Sequence, residues 1–285
     1  MRITNLKAMI LALLCTGVMK CAFSQKREHY IDLCNCLNTT YNSLYAWKEI
    51  YDTSTFKKPF ANVVHLGIKR KNDEREHYAT ASFIGKSCVI TALHFVKDSA
   101  NIEYIDVRIP SVTVDRWMRF YKGSFLVHYY TEDSFSNESD IVIVQFLNIP
   151  KIQQVYKSNF RIADFNIKDH DSLTINITGF PCLRFCYNGK GMDTLVNRFA
   201  GVYEVEVNAA GTCLRIPRST CPGDSGSPVW CKLGNEYYII GTVRGGPIDN
   251  SGLKNLPDNT YVILINENKR KWINTVLQNE TLTKK

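Results

Sequence analysis

The sequence predicts an all-β protein made of antiparallel sheets, arranged as a sandwich or as barrels. Two patterns carry that expectation. Short segments rich in β-branched and aromatic residues recur along the chain, and Gly- or Pro-containing turns break them at short, regular intervals. The composition agrees: 285 residues, 45% of them apolar and 22% charged, are enough to bury a core and exclude collagen-like or wholly disordered chains.

The strand candidates are residues 63–68, 78–84, 88–92, 102–109, 124–130, 141–146, 174–178, 201–207, 228–231, 237–243 and 261–265. Turn residues between them include Gly85, Gly123, Pro150, Gly179-Phe180-Pro181, Gly211, Gly234, Gly245-Gly246 and Pro257. The charge run over 69–77 reads as a solvated hairpin tip. Two helices are expected. One covers residues 28–51, where Tyr30, Leu33, Leu37, Tyr41, Leu44, Tyr45 and Trp47 recur at spacings of three and four. The other lies near 266–277, where Trp272, Ile273, Val276 and Leu277 form a stripe that should dock on the body of the protein.

The N-terminus speaks to the compartment. Arg2 and Lys7 precede an uncharged, mostly apolar stretch over 8–19, and Ala22 and Ser24 stand at −3 and −1 of a cut before Gln25. That is the layout of a secretory signal peptide over residues 1–24. The apolar stretch is short for a spanning helix, which needs about 20 residues, so no stable membrane anchor is expected after its removal. The formal charge is +8, of which Arg2, Lys7 and Lys20 carry three. The remaining excess is mild and forms no dense Lys/Arg stripe, which argues against nucleic acid as a partner.

Ten cysteines are present, and Cys15 and Cys21 leave with the signal peptide. The other eight are Cys34, Cys36, Cys88, Cys182, Cys186, Cys213, Cys221 and Cys231. An even number in an oxidising compartment suggests disulfides of undetermined pairing. Their spacings do not match a zinc site, and no metal or cofactor is expected. Sequons occur at Asn38, Asn137, Asn176 and Asn279.

Three segments carry chemistry. In Gly223-Asp224-Ser225-Gly226-Ser227-Pro228 a serine flanked by glycines sits on a tight turn that exposes its hydroxyl, and the N–H groups of Gly223 and Ser225 could converge on one oxygen. In Thr91-Ala92-Leu93-His94 a strand runs into a histidine, and a neutral imidazole with a pKa near ~6.5 suits a general base for a hydroxyl. In Asp140-Ile141-Val142 an aspartate opens a strand that is almost wholly apolar. An acid at the edge of a core needs a partner, and a histidine N–H is a good one.

Taken together the three segments resemble the chymotrypsin-like serine proteases. The order His94, Asp140, Ser225 is the family's order, with separations of 46 and 85 residues. Thr91-Ala92-Leu93-His94 is similar to its T-A-A-H, Asp140-Ile141-Val142 to its D-I-A, and Gly223 to Pro228 to its G-D-S-G-G-P. Gly179-Phe180-Pro181 is similar to its G-W-G, and Tyr261-Val262 and Trp272-Ile273 to its closing strand and C-terminal helix. The chain lacks the branch motif I-V-G-G, whose free amine pairs with the aspartate before the serine, so Asp224 must be held differently. It is in this respect closer to the V8-like branch.

The resemblance implies two antiparallel six-stranded β-barrels, with a C-terminal helix and an N-terminal helical extension. The first barrel, over 59–155, would carry the histidine and the aspartate. The second, over 156–285, would carry the nucleophile and end in the helix. Residues 25–58 would be an extension or a propeptide. The implied function is a secreted (extracellular or periplasmic) monomeric serine endopeptidase acting on protein or peptide substrates. Ser225 would be the nucleophile, His94 the base and acid, and Asp140 the orienter, with the oxyanion at the Gly223 and Ser225 amides. Ser219, Thr220, Val243, Arg244, Gly245 and Gly246 would bind substrate. Arg244 stands where the family usually has a serine supporting the aspartate, and it could alter site electrostatics or attract an acidic substrate. The alternative is an inactive homologue, a cationic binding protein on the same scaffold. An esterase of another fold is disfavoured, because its G-x-S-x-G elbow and Ser–Asp–His order are not met.

Overall fold

The computed structural model describes residues 47–50, 59–109, 116–130, 139–147, 160–181, 195–217, 220, 223–245 and 259–282. Among the described residues, sixteen strands form two curled sheets. The first holds β2 (Val63–Arg70), β3 (Glu76–Phe83), β4 (Cys88–Thr91), β5 (Ile102–Ile109), β6 (Arg116–Tyr121), β7 (Phe125–Tyr129) and β8 (Val142–Phe146), in the order β6-β5-β2-β3-β4-β8-β7. The second holds β1 (Trp47–Ile50) and, from the C-terminal half, β9 (Phe160–Ile162), β10 (Thr174–Gly179), β11 (Leu195–Gly201), β12 (Glu206–Val207), β13 (Cys213–Ile216), β14 (Pro228–Leu233), β15 (Glu236–Gly245) and β16 (Thr260–Leu264). Its order is β1-β11-β10-β14-β15-β16-β13-β12, all antiparallel, with β9 added in parallel beside β15.

The architecture is the expected all-β one, and among the described residues the two sheets hold seven and nine strands where six each were expected. The surplus in the second sheet includes β1, which pairs its backbone with the edge of β11 and opposes Trp47 to Arg198. Of the helix expected over 28–51, only these four residues are described, and they are a strand. An open edge offers a row of backbone donors and acceptors, and pairing there overrides a helical spacing of apolar side chains. The residues around them lie outside the described set.

Three apolar clusters organise the interior. One lies within the first sheet, around Leu66, Phe83, Val89, Ile105 and Phe146. Another lies within the second, around Ile175, Leu214, Val229, Ile240 and Val262. The third joins both halves through Ile90, Ile143, Phe180, Trp230 and Ile263, and takes in Ile273 of the C-terminal helix. Strand β8 explains why a run such as 141–146 is apolar without alternation. Val142, Val144 and Phe146 face the first cluster, while Ile141 and Ile143 face the shared one. Side chains alternate across a strand, so a strand buried on both faces is apolar almost throughout, and its buried polar residue, Gln145, has a partner: its Oε1 lies 2.9 Å from His128 Nε2.

The C-terminal helix, Glu267–Leu282, runs five residues beyond its expected end. Its apolar stripe packs on the shared cluster, and Asn266 Oδ1 accepts the Lys269 N–H at 3.1 Å as an N-cap. Near its far end, buried Glu280 accepts hydrogen bonds from the Ser87 amide and hydroxyl, which ties the helix to the β3–β4 turn. The charged segment over 69–77 is the β2–β3 hairpin, whose turn residues are largely exposed. Segment 201–207 is not one strand: it divides into a single turn, Val202–Glu204, and the two-residue β12.

The expected disulfides are not found among the described cysteines. Cys88, Cys213 and Cys231 are buried as thiols within the clusters, where a small apolar-like side chain packs well. Cys34, Cys36, Cys182, Cys186 and Cys221 lie outside the described residues. Among the described residues no helix is long and apolar enough to cross a membrane.

Candidate active site

The β4–β8 ladder pairs Thr91 with Val142. The chain leaving β4 and the chain entering β8 therefore meet at one end of the sheet. Beyond β4, Ala92 is extended and Leu93–Val96 makes a single helical turn. Leu93, Phe95 and Val96 turn into the first core, which leaves His94 outward with 49% of its side chain exposed. Asp140, just before β8, is buried. Its Oδ1 accepts the His94 backbone N–H at 2.7 Å, and its Oδ2 lies 2.7 Å from His94 Nδ1. This two-point attachment fixes the plane of the ring.

Ser225 arrives from the second sheet on a loop made possible by two glycines. Gly223 has φ 95° and Gly226 has φ 80°, both in the left-handed region that favours glycine. A Cβ on Gly226 would stand 2.1 Å from Thr91 Oγ1 and 2.3 Å from the Thr80 carbonyl oxygen, so only glycine lets the loop reach the first sheet. The Gly226 N–H donates to the Val243 carbonyl at 2.7 Å, and the Val243 N–H to the Ser227 carbonyl at 2.9 Å, lacing the loop to β15. In this position Ser225 Oγ lies 3.1 Å from His94 Nε2. Three side chains from separate segments thus form one hydrogen-bonded chain across the gap between the sheets.

Asp224 turns the other way and is fully buried. Its Oδ2 lies 3.0 Å from Arg198 Nη2 on β11, and both side chains are 0% exposed. A carboxylate out of water needs a countercharge, and Arg198 supplies the one the sequence left open. Sequence reasoning missed Arg198. The available signal was a cation inside Leu195–Gly201, amid Leu, Val, Phe and Ala. The Gly179-Phe180-Pro181 segment also finds its reason here. A Cβ on Gly179 would come within 2.5 Å of Asp224 Oδ1 and 2.1 Å of Ser227 Oγ.

Arg244, near the end of β15, places Nε 3.5 Å from Asp140 Oδ2, the oxygen that His94 Nδ1 also contacts. Burial makes its guanidinium easier to deprotonate than usual, against the opposing pull of Asp140. Val243 is fully buried in the second cluster, so its side chain is core and its backbone alone meets the loop. Gly245 closes β15 with φ 135°. Thr220 accepts a hydrogen bond from the Thr260 hydroxyl at 3.0 Å. Ser219 and Gly246 lie outside the described residues. Among the described residues no group of three or more His, Cys, Asp or Glu side chains is placed to hold a metal ion.

The family model for trypsin matches residues 54–272. The thermostable serine protease AL20, from an extremophilic microorganism, superimposes with a TM-score of 0.57 at 14% identity, over 76% of this chain and 97% of its own. The protease Anisep from Arthrobacter nicotinovorans gives 0.57 at 12% identity, over 78% and 98%. A Glu endopeptidase crystallised with MPD gives 0.58 at 15%, over 82% and 97%. No curated relative matches the sequence. At these identities the structural likeness speaks for the fold alone, which is chymotrypsin-like. With the family model spanning most of its length, the chain belongs to the trypsin family of serine proteases.

Proposed function

We propose that the protein is a secreted serine endopeptidase working through Ser225, His94 and Asp140. The observation that carries the reading is the unbroken Asp140–His94–Ser225 contact, at 2.7 Å and 3.1 Å, assembled from both sheets. Ser225 Oγ attacks the scissile carbonyl carbon while His94 Nε2 takes its proton. The oxyanion so formed is stabilised by the N–H groups of Gly223 and Ser225. His94 then returns the proton to the amine nitrogen, the C–N bond breaks, and the acyl group remains as an ester on Ser225. Water, deprotonated by His94, attacks that ester. A carboxylic acid leaves and the serine hydroxyl is restored. Asp140 fixes the ring and favours the imidazolium that appears in each half-reaction.

Arg198 gives Asp224 a countercharge from within the chain, so this reading needs no newly cut N-terminal amine to shape the loop. The pairing of β1 with β11 supports keeping at least residues 47–50 in the working enzyme. Export rests on the signal-peptide layout of residues 1–24, and the mature protein is read as a monomer without a membrane anchor.

The test is covalent labelling of the purified chain by a fluorophosphonate, beside a Ser225→Ala control. Labelling of the native chain only is the expected result. A folded native chain that stays unlabelled sinks the reading and favours the non-catalytic binding protein.

A further inference from the structure

We propose that Thr80 is a positioning residue for the nucleophile loop: it holds the two carbonyls that flank the Ser225 amide and ties them to the strand that leads into His94. The proposal rests on the triad reading above. Thr80 lies on β3 and is 0% exposed. It makes four hydrogen bonds. Its N–H donates to the Ser225 carbonyl at 2.9 Å. Its Oγ1 donates to the Gly223 carbonyl at 2.8 Å and accepts the Phe180 N–H at 2.9 Å. Its own carbonyl accepts the Thr91 hydroxyl at 2.8 Å, three residues before His94.

The peptide between Asp224 and Ser225 carries the N–H that would meet the oxyanion. The carbonyl on one side of it, at Gly223, and the carbonyl on the other, at Ser225, both end on Thr80. Gly223 has φ 95° and Gly226 φ 80°, so the loop is built on the two residues with the most backbone freedom. A loop like that keeps one shape only if its peptide planes are held from outside. The second sheet holds Gly226 and Ser227 through Val243, and the first sheet holds Gly223 and Ser225 through Thr80. The hydroxyl is the informative part. Packing on a buried strand would be met equally by valine, which has the same shape and no hydroxyl. Only the Gly223 carbonyl and the Phe180 amide use the oxygen, and valine would leave that buried carbonyl and amide without this partner. Through Thr91 the same residue sets the distance between the general base and the loop, and misplacement of a reacting group by about 1 Å costs on the order of a hundredfold in rate.

The experiment compares the full chain with its Thr80→Val and Thr80→Ser variants, after the wild type has been shown to react with a fluorophosphonate through Ser225. The readouts are kcat and KM on one peptide, affinity for a peptidyl boronic acid of the same sequence, and the thermal midpoint. Thr80→Val is expected to lower kcat by about tenfold to a hundredfold. KM should stay within about twofold, because a fully buried residue does not contact substrate. The boronic acid, which binds as a tetrahedral adduct, should lose affinity by the same factor as kcat/KM. Thr80→Ser, which keeps the hydroxyl, should stay close to wild type. A folded Thr80→Val chain with wild-type kcat and boronate affinity overturns the proposal, whatever its thermal midpoint. If Thr80→Val does not fold, Thr80→Ala is judged against Thr80→Ser by the same criteria, and equal rates for those two overturn it as well. A wild type that the fluorophosphonate leaves unlabelled is a distinct failure: it overturns the triad reading and this inference with it.

Discussion

His94 and Asp140 are presented by strand ends of the first sheet, with the imidazole half in water and held by one carboxylate and a backbone register. The loop carrying Ser225 is presented by the second sheet and rests on Arg198 and Asp224, two ionised groups with no exposed surface. On the proposed mechanism, the difference follows from what each half must fix. A base needs only its ring plane set and remains open to substrate, so contacts at the rim suffice. A nucleophile loop must aim peptide N–H groups, and glycines make it pliable, so its shape depends on interactions deep beneath it. Errors in the first half should therefore cost rate, and errors in the second should cost stability as well as rate.

The first half offers the largest test. Asp140→Asn keeps the shape of the residue but cannot fix the same imidazole tautomer, and turnover near neutral pH should fall about 10⁴-fold, by analogy with a related triad. Thermal stability should change far less. Unchanged turnover would remove Asp140 from the mechanism. The matching test in the second half is Arg198→Met. Breaking a buried pair from one side costs about 3–5 kcal/mol, read as a shift in the urea midpoint, and labelling by the fluorophosphonate should slow sharply. Adding Asp224→Asn should recover part of the stability and none of the labelling rate. An Arg198→Met chain as stable and as reactive as wild type would dissolve the contrast between the halves.

The same contrast describes what the sequence made legible. The three segments of the proposed triad were readable because each carries a local signal: glycines around a serine, a histidine at a strand end, an acid opening an apolar strand. Arg198 was not, because its contribution depends on a partner 26 positions away, brought close only by tertiary folding. Its strand was hidden as well, since Asn197 and Arg198 are both buried and break the polar–apolar alternation. Strand β6 escaped notice too. Arg119 there is an exposed charge whose partners come from the neighbouring strand: it makes a two-pronged contact with Asp106, at 2.9 and 2.8 Å, and lies over the Tyr104 ring. For the three described cysteines an even count said nothing about burial: all of them pack inside the clusters. Burial pushes the Cys231 thiol up to about 11, the mark of an inert packed group.

A smaller effect tests how the halves are joined. His65 on β2 pairs with Thr80 in the β2–β3 register and stacks on Phe180 at 5.3 Å, so it lies at the seam. Burial, helped by the Arg108 charge, lowers its pKa from 6.5 to about 3. A group depressed in this way adds stability that is fully present above pH 6.5 and is lost as pH falls toward 3. Between pH 7 and pH 4.5 that loss should be about 2–3 kcal/mol, at 1.36 kcal/mol per unit below 6.5. His65→Gln should flatten this part of the stability curve, measured by urea unfolding at the two pH values. Equal acid sensitivity in variant and wild type would place the acid weakness elsewhere.

The smallest expected effect lies at Arg244, where the second sheet reaches back to the first half's carboxylate. Its Nε is 3.5 Å from Asp140 Oδ2, long for a hydrogen bond but close for a charge. On the proposed mechanism, a guanidinium there repels the imidazolium formed as His94 takes the serine proton, so it should act as a brake. Arg244→Gln is expected to raise kcat by about two- to fivefold, the size of a partly screened pair at the cleft edge. High salt should shrink the difference, because screening weakens the cation in the wild type and not in the variant. A fall in kcat would mean the opposite physics: Arg244 would be steering the carboxylate as a donor, and the first half would depend on the second for its geometry as much as the second depends on Thr80.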